Sequence, residues 1–163
     1  MSRPFLVVLL LSCCWVEMLQ AADQLMKVNA LRRPVAIEHV PDLNKLLILN
    51  QRSASLSFFD LATRQVTNEL AIGGKPTDME LIPETNLLAI TNEAKHTVRL
   101  YKVGNDKLDA LADIEVCSYP RHLKYDVRQS LLYVSGMWSR QLAVVQVDTD
   151  IPSRSDLLQK VDM

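Results

Sequence analysis

The chain has 163 residues, 48% hydrophobic and 23% charged, with a formal net charge of −1. That balance excludes a wholly disordered chain and a polytopic membrane protein. The lack of a basic excess argues against a nucleic-acid binder, which leaves a globular protein of about one domain's length.

Met1-Ser2-Arg3 precedes an apolar run from Phe5 to Val16, and small residues follow at Ala21-Ala22. One positive charge, a short apolar run and a small-residue exit predict a helical signal peptide over 1–21, the alternative being a buried N-terminal helix. The run falls short of the ~20 apolar residues that a bilayer span needs. The order Leu10-Leu11-Ser12-Cys13 is similar to a bacterial lipobox and makes Cys13 a candidate lipidation site. Both routes place the protein outside the cytoplasm, secreted or periplasmic. Cleavage after Ala21 leaves 142 residues and Cys117 as the sole cysteine. Stability then rests on packing rather than on an internal disulfide.

Pro34, Pro76 and Pro120 are spaced 42 and 44 residues apart, and each opens a segment that aligns with the others without a gap for 28 positions. Ile37, Met79 and Leu123 share a column, as do Leu46, Leu88 and Leu132, then Ile48, Ile90 and Val134. Leu56, Val98 and Leu142, followed by Phe58, Leu100 and Val144, hold alternate positions of the next run. The runs are short, rich in Val, Ile, Leu, Thr and Tyr, and bounded by turn residues, which is the signature of strands. In the second copy they predict strands over 78–82, 87–92, 97–103 and 110–116. Pro41-Asp42-Leu43-Asn44 and Pro83-Glu84-Thr85-Asn86 supply turns, because Pro presets φ and Asn tolerates left-handed geometry.

Four antiparallel strands in about 40–50 residues make one propeller blade, so the chain reads as all-β, a partial three-blade β-propeller. An ordinary sandwich has no reason to repeat its side-chain chemistry at this period. The expected blades cover 34–74, 75–118 and 119–150. Residues 22–33 are expected to give an N-terminal strand, because Gln24–Ala30 occupies the place that Val66–Ile72 occupies before Pro76; it would be the outer strand of a neighbouring blade. Residues 151–163 form either a fourth strand of the last blade, near Leu157–Val161, or a tail. Propellers typically close with 4–8 blades, and three explanations stay open: a longer reading frame, two copies completing one ring, or a small open stack.

The segments LLILNQRSASLSFFDLATRQV, LLAITNEAKHTVRLYKV and LLYVSGMWSRQLAVVQVD resemble the YVTN-type β-propeller repeat. Asp60-Leu61-Ala62-Thr63 is close to the Asp-x-Ala-Thr-Gly turn of that repeat, with Arg64 where Gly is usual. The resemblance implies fold more than activity. It also implies relatives that act as lactonases or dehydrogenases, or that are fused to c-type cytochrome domains.

Candidate chemistry is sparse. His122 stands in the column of Ala36 and Asp78, which in a propeller lies near the axial channel, so Asp78, Arg121 and His122 are candidate channel-mouth residues or solvated strand starts. Trp138, in the hairpin Met137-Trp138-Ser139-Arg140, is either a contact residue or an apolar cap on the open blade. His39 and His96 have no partner at metal-ligand spacing. Cys117 is expected to be small, half-buried and unreactive, since no base is placed beside it by pattern. Gly73-Gly74 joins two strands rather than opening a helix, so no phosphate loop is present.

No cofactor, metal, nucleic-acid partner or membrane span is expected, and no catalytic constellation is evident. The reading is an exported binding or scaffolding module for a protein or small-molecule ligand, with self-association as a route to a complete propeller. The alternative is the N-terminal part of a periplasmic propeller enzyme or of a propeller–cytochrome c electron-transfer protein.

Overall fold

The computed structural model describes residues 31–163. The signal peptide over 1–21, Cys13 and most of the strand expected over 22–33 lie outside the described residues. Twelve strands follow in order: β1 (Pro34–Val40), β2 (Lys45–Asn50), β3 (Ser55–Asp60), β4 (Gln65–Ala71), β5 (Pro76–Ile82), β6 (Leu87–Asn92), β7 (Thr97–Gly104), β8 (Lys107–Glu115), β9 (Pro120–Asp126), β10 (Leu131–Gly136), β11 (Gln141–Gln146) and β12 (Asp156–Asp162). They form three antiparallel meanders, β1-β2-β3-β4, β5-β6-β7-β8 and β9-β10-β11-β12. The segment 151–163 therefore does carry a fourth strand, entered through a 3₁₀ turn at Pro152–Arg154.

The repeat is visible in the backbone as well as in the sequence. Each second hairpin turn closes through a non-glycine residue in the left-handed region at one repeat column: Ala54 at φ 49°, His96 at φ 57° and Arg140 at φ 52°. Each third-to-fourth strand pairing slips at one column too, between Phe58 and Phe59, Leu100 and Tyr101, and Val144 and Val145. A bulge adds local twist, here at the same column of every sheet.

The first strands of successive sheets lie side by side, β1 against β5 and β5 against β9, so the three sheets fan out from a common inner edge. This is the arrangement of a partial, three-blade β-propeller. Its core is two layers between sheets. One joins Leu47, Leu49, Leu56 and Phe58 to Met79, Leu88, Ile90 and Tyr101; the other joins Ala89, Val98, Leu100 and Ile114 to Leu123, Leu132, Val134 and Val145. The middle sheet is covered on both faces, and Leu87, Leu88, Ala89 and Ile90 of β6 are all buried. In β2 and β10 burial alternates, as expected of sheets covered on one face.

Polar ties cross the same junctions. Lys45 is buried at the start of β2, and its ammonium group lies 2.5 Å from Asp106 Oδ1 in the β7–β8 turn and 3.0 Å from Thr67 Oγ1. Asn68 Nδ2 donates to the Asp106 carbonyl at 2.8 Å. Between the second and third sheets, Thr77 Oγ1 donates to the Pro120 carbonyl at 2.8 Å.

Candidate functional site

The inner edge is built from two repeat columns, two and four residues after the strand-opening prolines: Ala36, Asp78 and His122, then Glu38, Glu80 and Lys124. Alternation along a strand puts both columns on one side of each first strand. Asp78 is held firmly. Its Oδ2 accepts the backbone N–H of Leu123 at 3.1 Å, its Oδ1 accepts that of Met79 at 3.0 Å, and its own N–H donates to Thr91 Oγ1 at 2.8 Å. Against this fixed carboxylate His122 brings Nδ1 to 3.4 Å from Oδ2, while 73% of its side chain stays exposed.

Four residues after the prolines the contact is ionic. Lys124 Nζ lies 2.5 Å from Glu80 Oε1, a hydrogen bond that raises the lysine's pKa. Glu38 on β1 is pushed above the usual carboxylate range, first by burial and then by the Glu80 charge, with Lys124 acting in the opposite sense. The inner edge thus sets half-buried carboxylates on the first two sheets against an exposed imidazole and ammonium group on the third, an arrangement that offers hydrogen-bond donors and acceptors to a ligand. Among the described residues no group of three or more His, Cys, Asp or Glu is placed to hold a metal ion.

The candidate residues divide by location. Asp78 and His122 meet at the inner edge, and Arg121 precedes His122 at the start of β9. Trp138 stands at the tip of the β10–β11 hairpin, 72% exposed, so it is not a cap on the open sheet face. Cys117 is completely buried rather than half-buried, with Sγ 3.5 Å from the Val134 carbonyl; burial pushes its thiol pKa up and suppresses the thiolate. Glu38, Glu80 and Lys124 were not singled out from sequence, although they occupy one column two residues beyond the one that was.

A second cluster sits at the loop end nearest Trp138. Tyr119 precedes Pro120 in the left-handed region, at φ 53°, which is costly for a bulky residue. Its N–H donates to His96 Nδ1 at 3.2 Å, its carbonyl accepts the Met137 N–H at 2.9 Å, and its ring meets the His96 ring edge-on at 5.4 Å. These bonds tie hairpins of two neighbouring sheets into one surface.

No family model matches the sequence, and no curated protein matches it. Solved structures do. The chain is similar to Kuenenia stuttgartiensis hydrazine synthase, with 24% identity and a TM-score of 0.66 over 82% of this chain and 36% of that one. It is similar to the Pseudomonas aeruginosa periplasmic gluconolactonase PpgL, with 16% identity and a TM-score of 0.67 over 80% of this chain and 40% of that one. The Myceliophteria thermophila Cps50 (Swd1) β-propeller domain matches with 16% identity and a TM-score of 0.67, over 86% of this chain and 44% of that one. The chain spans less than half the length of each of these structures, and at these identities the likeness shows the fold alone.

Proposed function

We propose that this chain is a binding module whose contact surface runs from the inner edge to the adjoining loop ends, with Asp78, Arg121, His122 and Trp138 as contact residues. The observation that carries the reading is the Asp78–His122 pair: a carboxylate fixed by two backbone N–H groups, set 3.4 Å from an imidazole left open to solvent. Amide NMR of the full chain with a small-molecule fragment library tests it. Shifts concentrated at Asp78, Arg121, His122 and Trp138 are expected. Shifts confined to the groove between β8 and β12, lined by Asp113, Glu115 and Leu157, would refute the assignment.

The repeat is proposed to be of the YVTN type. Supporting this, Asp60 Oδ1 accepts the Thr63 N–H at 2.7 Å and the Thr63 hydroxyl at 3.0 Å, a physical role for the Asp-x-Ala-Thr turn. Export is proposed from the N-terminal pattern of Arg3, apolar run and Ala21-Ala22, and it agrees with the periplasmic setting of the similar gluconolactonase.

A second reading concerns assembly. The outward face of the first sheet carries Ile37, Leu46, Ile48 and Phe59, and that of the third carries Leu131, Tyr133 and Leu142, none of them fully buried. A second copy would set its first sheet against the third and bring its Glu38 beside Lys124, repeating the Glu80–Lys124 contact. Light scattering should give twice the monomer mass, and Lys124→Glu should lower it. A monodisperse monomer refutes this reading.

A further inference from the structure

Charge in this molecule is sorted by loop end. Strands alternate in direction, so the segment before β1 and the β2–β3, β4–β5, β6–β7, β8–β9 and β10–β11 connections share one end. Those described loop residues hold six Arg or Lys and one carboxylate, Glu93, which is engaged by Lys75 at 2.5 Å. The connections at the opposite end hold five carboxylates and three Arg. A chain with a net charge of −1 therefore presents one basic and one acidic loop face.

The basic face also carries exposed Tyr119, Met137 and Trp138, tied together through the Met137-to-Tyr119 backbone bond. Among the described residues, no carboxylate forms an ion pair with Arg33, Arg52, Arg121 or Arg140. Solvated surfaces normally intersperse both signs and few large apolar groups.

We propose that this loop face docks a second protein through an acidic segment with apolar side chains among its carboxylates. The proposal rests on the reading of the chain as a binding module and names the chemistry of its partner. Arg outnumbers Lys here, and the guanidinium fork matches a carboxylate with two parallel hydrogen bonds. Trp, Tyr, Met and Arg are also the types enriched where proteins meet, while Lys and Glu are depleted there. The exposed Trp138 and Tyr119 supply anchors for the partner's apolar groups, and the surrounding Arg groups fix its register.

The test is selection of a random peptide library displayed on phage against the immobilised full chain, followed by fluorescence anisotropy with the recovered peptides. Enrichment of Asp and Glu beside apolar residues is expected. Trp138→Ala and the double variant Arg52→Glu/Arg140→Glu should each weaken binding of the recovered peptides about thirtyfold or more, roughly one hot-spot's worth. Arg128→Glu at the opposite end should leave them unchanged, and circular dichroism checks that each variant is folded. Recovered peptides without acidic enrichment overturn the proposal. So does binding that survives Arg52→Glu/Arg140→Glu and is lost with His122→Ala, a result that leaves the inner-edge reading standing. Sedimentation with phosphatidylglycerol vesicles in the absence of acidic enrichment overturns it in favour of a lipid surface.

Discussion

Replacing Asp106 by alanine removes the carboxylate that lies 2.5 Å from the Lys45 ammonium group and 2.6 Å from Thr67 Oγ1, while the Asn68 bond to the Asp106 carbonyl stays in place. Lys45 is the more sensitive partner, because only 5% of its side chain is exposed, against 32% for Asp106. Removing one member of a fully buried pair costs about 3–5 kcal/mol. Here Thr67 Oγ1 remains as an acceptor at 3.0 Å, and water reaches the vacated position through the exposed side of Asp106. The expected cost of the lost pairing is therefore about 2–3 kcal/mol, on the scale of a buried charge that keeps one hydrogen bond, and alanine in the left-handed region at φ 57° adds about 1 kcal/mol. For a chain of this size that corresponds to a Tm lowered by roughly 5–10 °C.

Lys45→Met should be far milder, since it removes the buried charge itself, and Lys45→Met/Asp106→Ala should recover the part of the loss that comes from the unpaired ammonium group, leaving the backbone cost of alanine at φ 57°. Urea denaturation followed by circular dichroism gives the double-mutant cycle. The Lys45 hydrogen bond also holds the Asp106 pKa below the ordinary carboxylate value. The pair's contribution is then fully present above about pH 4, the unfolded carboxylate's range, and is lost as pH falls through the lower folded-state pKa. Acid unfolding should accordingly be steeper in the wild type than in the double variant. An Asp106→Ala cost within about 0.5 kcal/mol of zero, or strictly additive single and double variants, would show that Lys45 and Asp106 are not coupled.

Leu88, buried in the middle sheet, should cost about 3–4 kcal/mol as Leu88→Ala, whereas Leu46→Ala, its repeat equivalent on a half-buried outward face, should cost no more than about half that in the same urea assay. Ala54→Gly relieves a left-handed non-glycine residue at φ 49°, and against the greater backbone freedom of glycine it should still raise stability by up to about 1 kcal/mol by urea midpoint. Gly136→Ala should destabilise by about 1–3 kcal/mol, because an added Cβ would sit 2.7 Å from the Ser118 carbonyl oxygen and 2.1 Å from Ser139 Oγ; a thermal melt shows it. Cys117 should resist thiol labelling in the native protein and be modified at the rate of unfolding, as read by peptide mass spectrometry; fast native labelling would contradict its burial.

The strands and their grouping were legible from one dimension, because their causes are local. The expected strands of the second repeat, 87–92 and 97–103, coincide with β6 and all but the last residue of β7. Turn residues and alternation act over a few positions, and a repeat of 42–44 residues displays the same local code three times. The shared repeat column also places Asp78 and His122 in one region, since equivalent positions on successive first strands become neighbours when sheets stack.

What needed tertiary structure is whatever depends on residues far apart in sequence. The pairing of Lys45 with Asp106 spans 61 positions, and nothing local distinguishes Lys45 from a solvated lysine. Cys117 reads as a loop-side residue until Val134 and its neighbours close over it. The sorting of charge between loop ends is invisible in a net charge of −1, because adjacent turns of a meander lie at opposite ends of a sheet, so the residues of the two loop faces are interleaved along the chain and separate only in space. Local propensity and period thus determined the blades of this protein. Only their stacking decided which buried charges meet, which thiol is sealed, and which loop face is basic and aromatic.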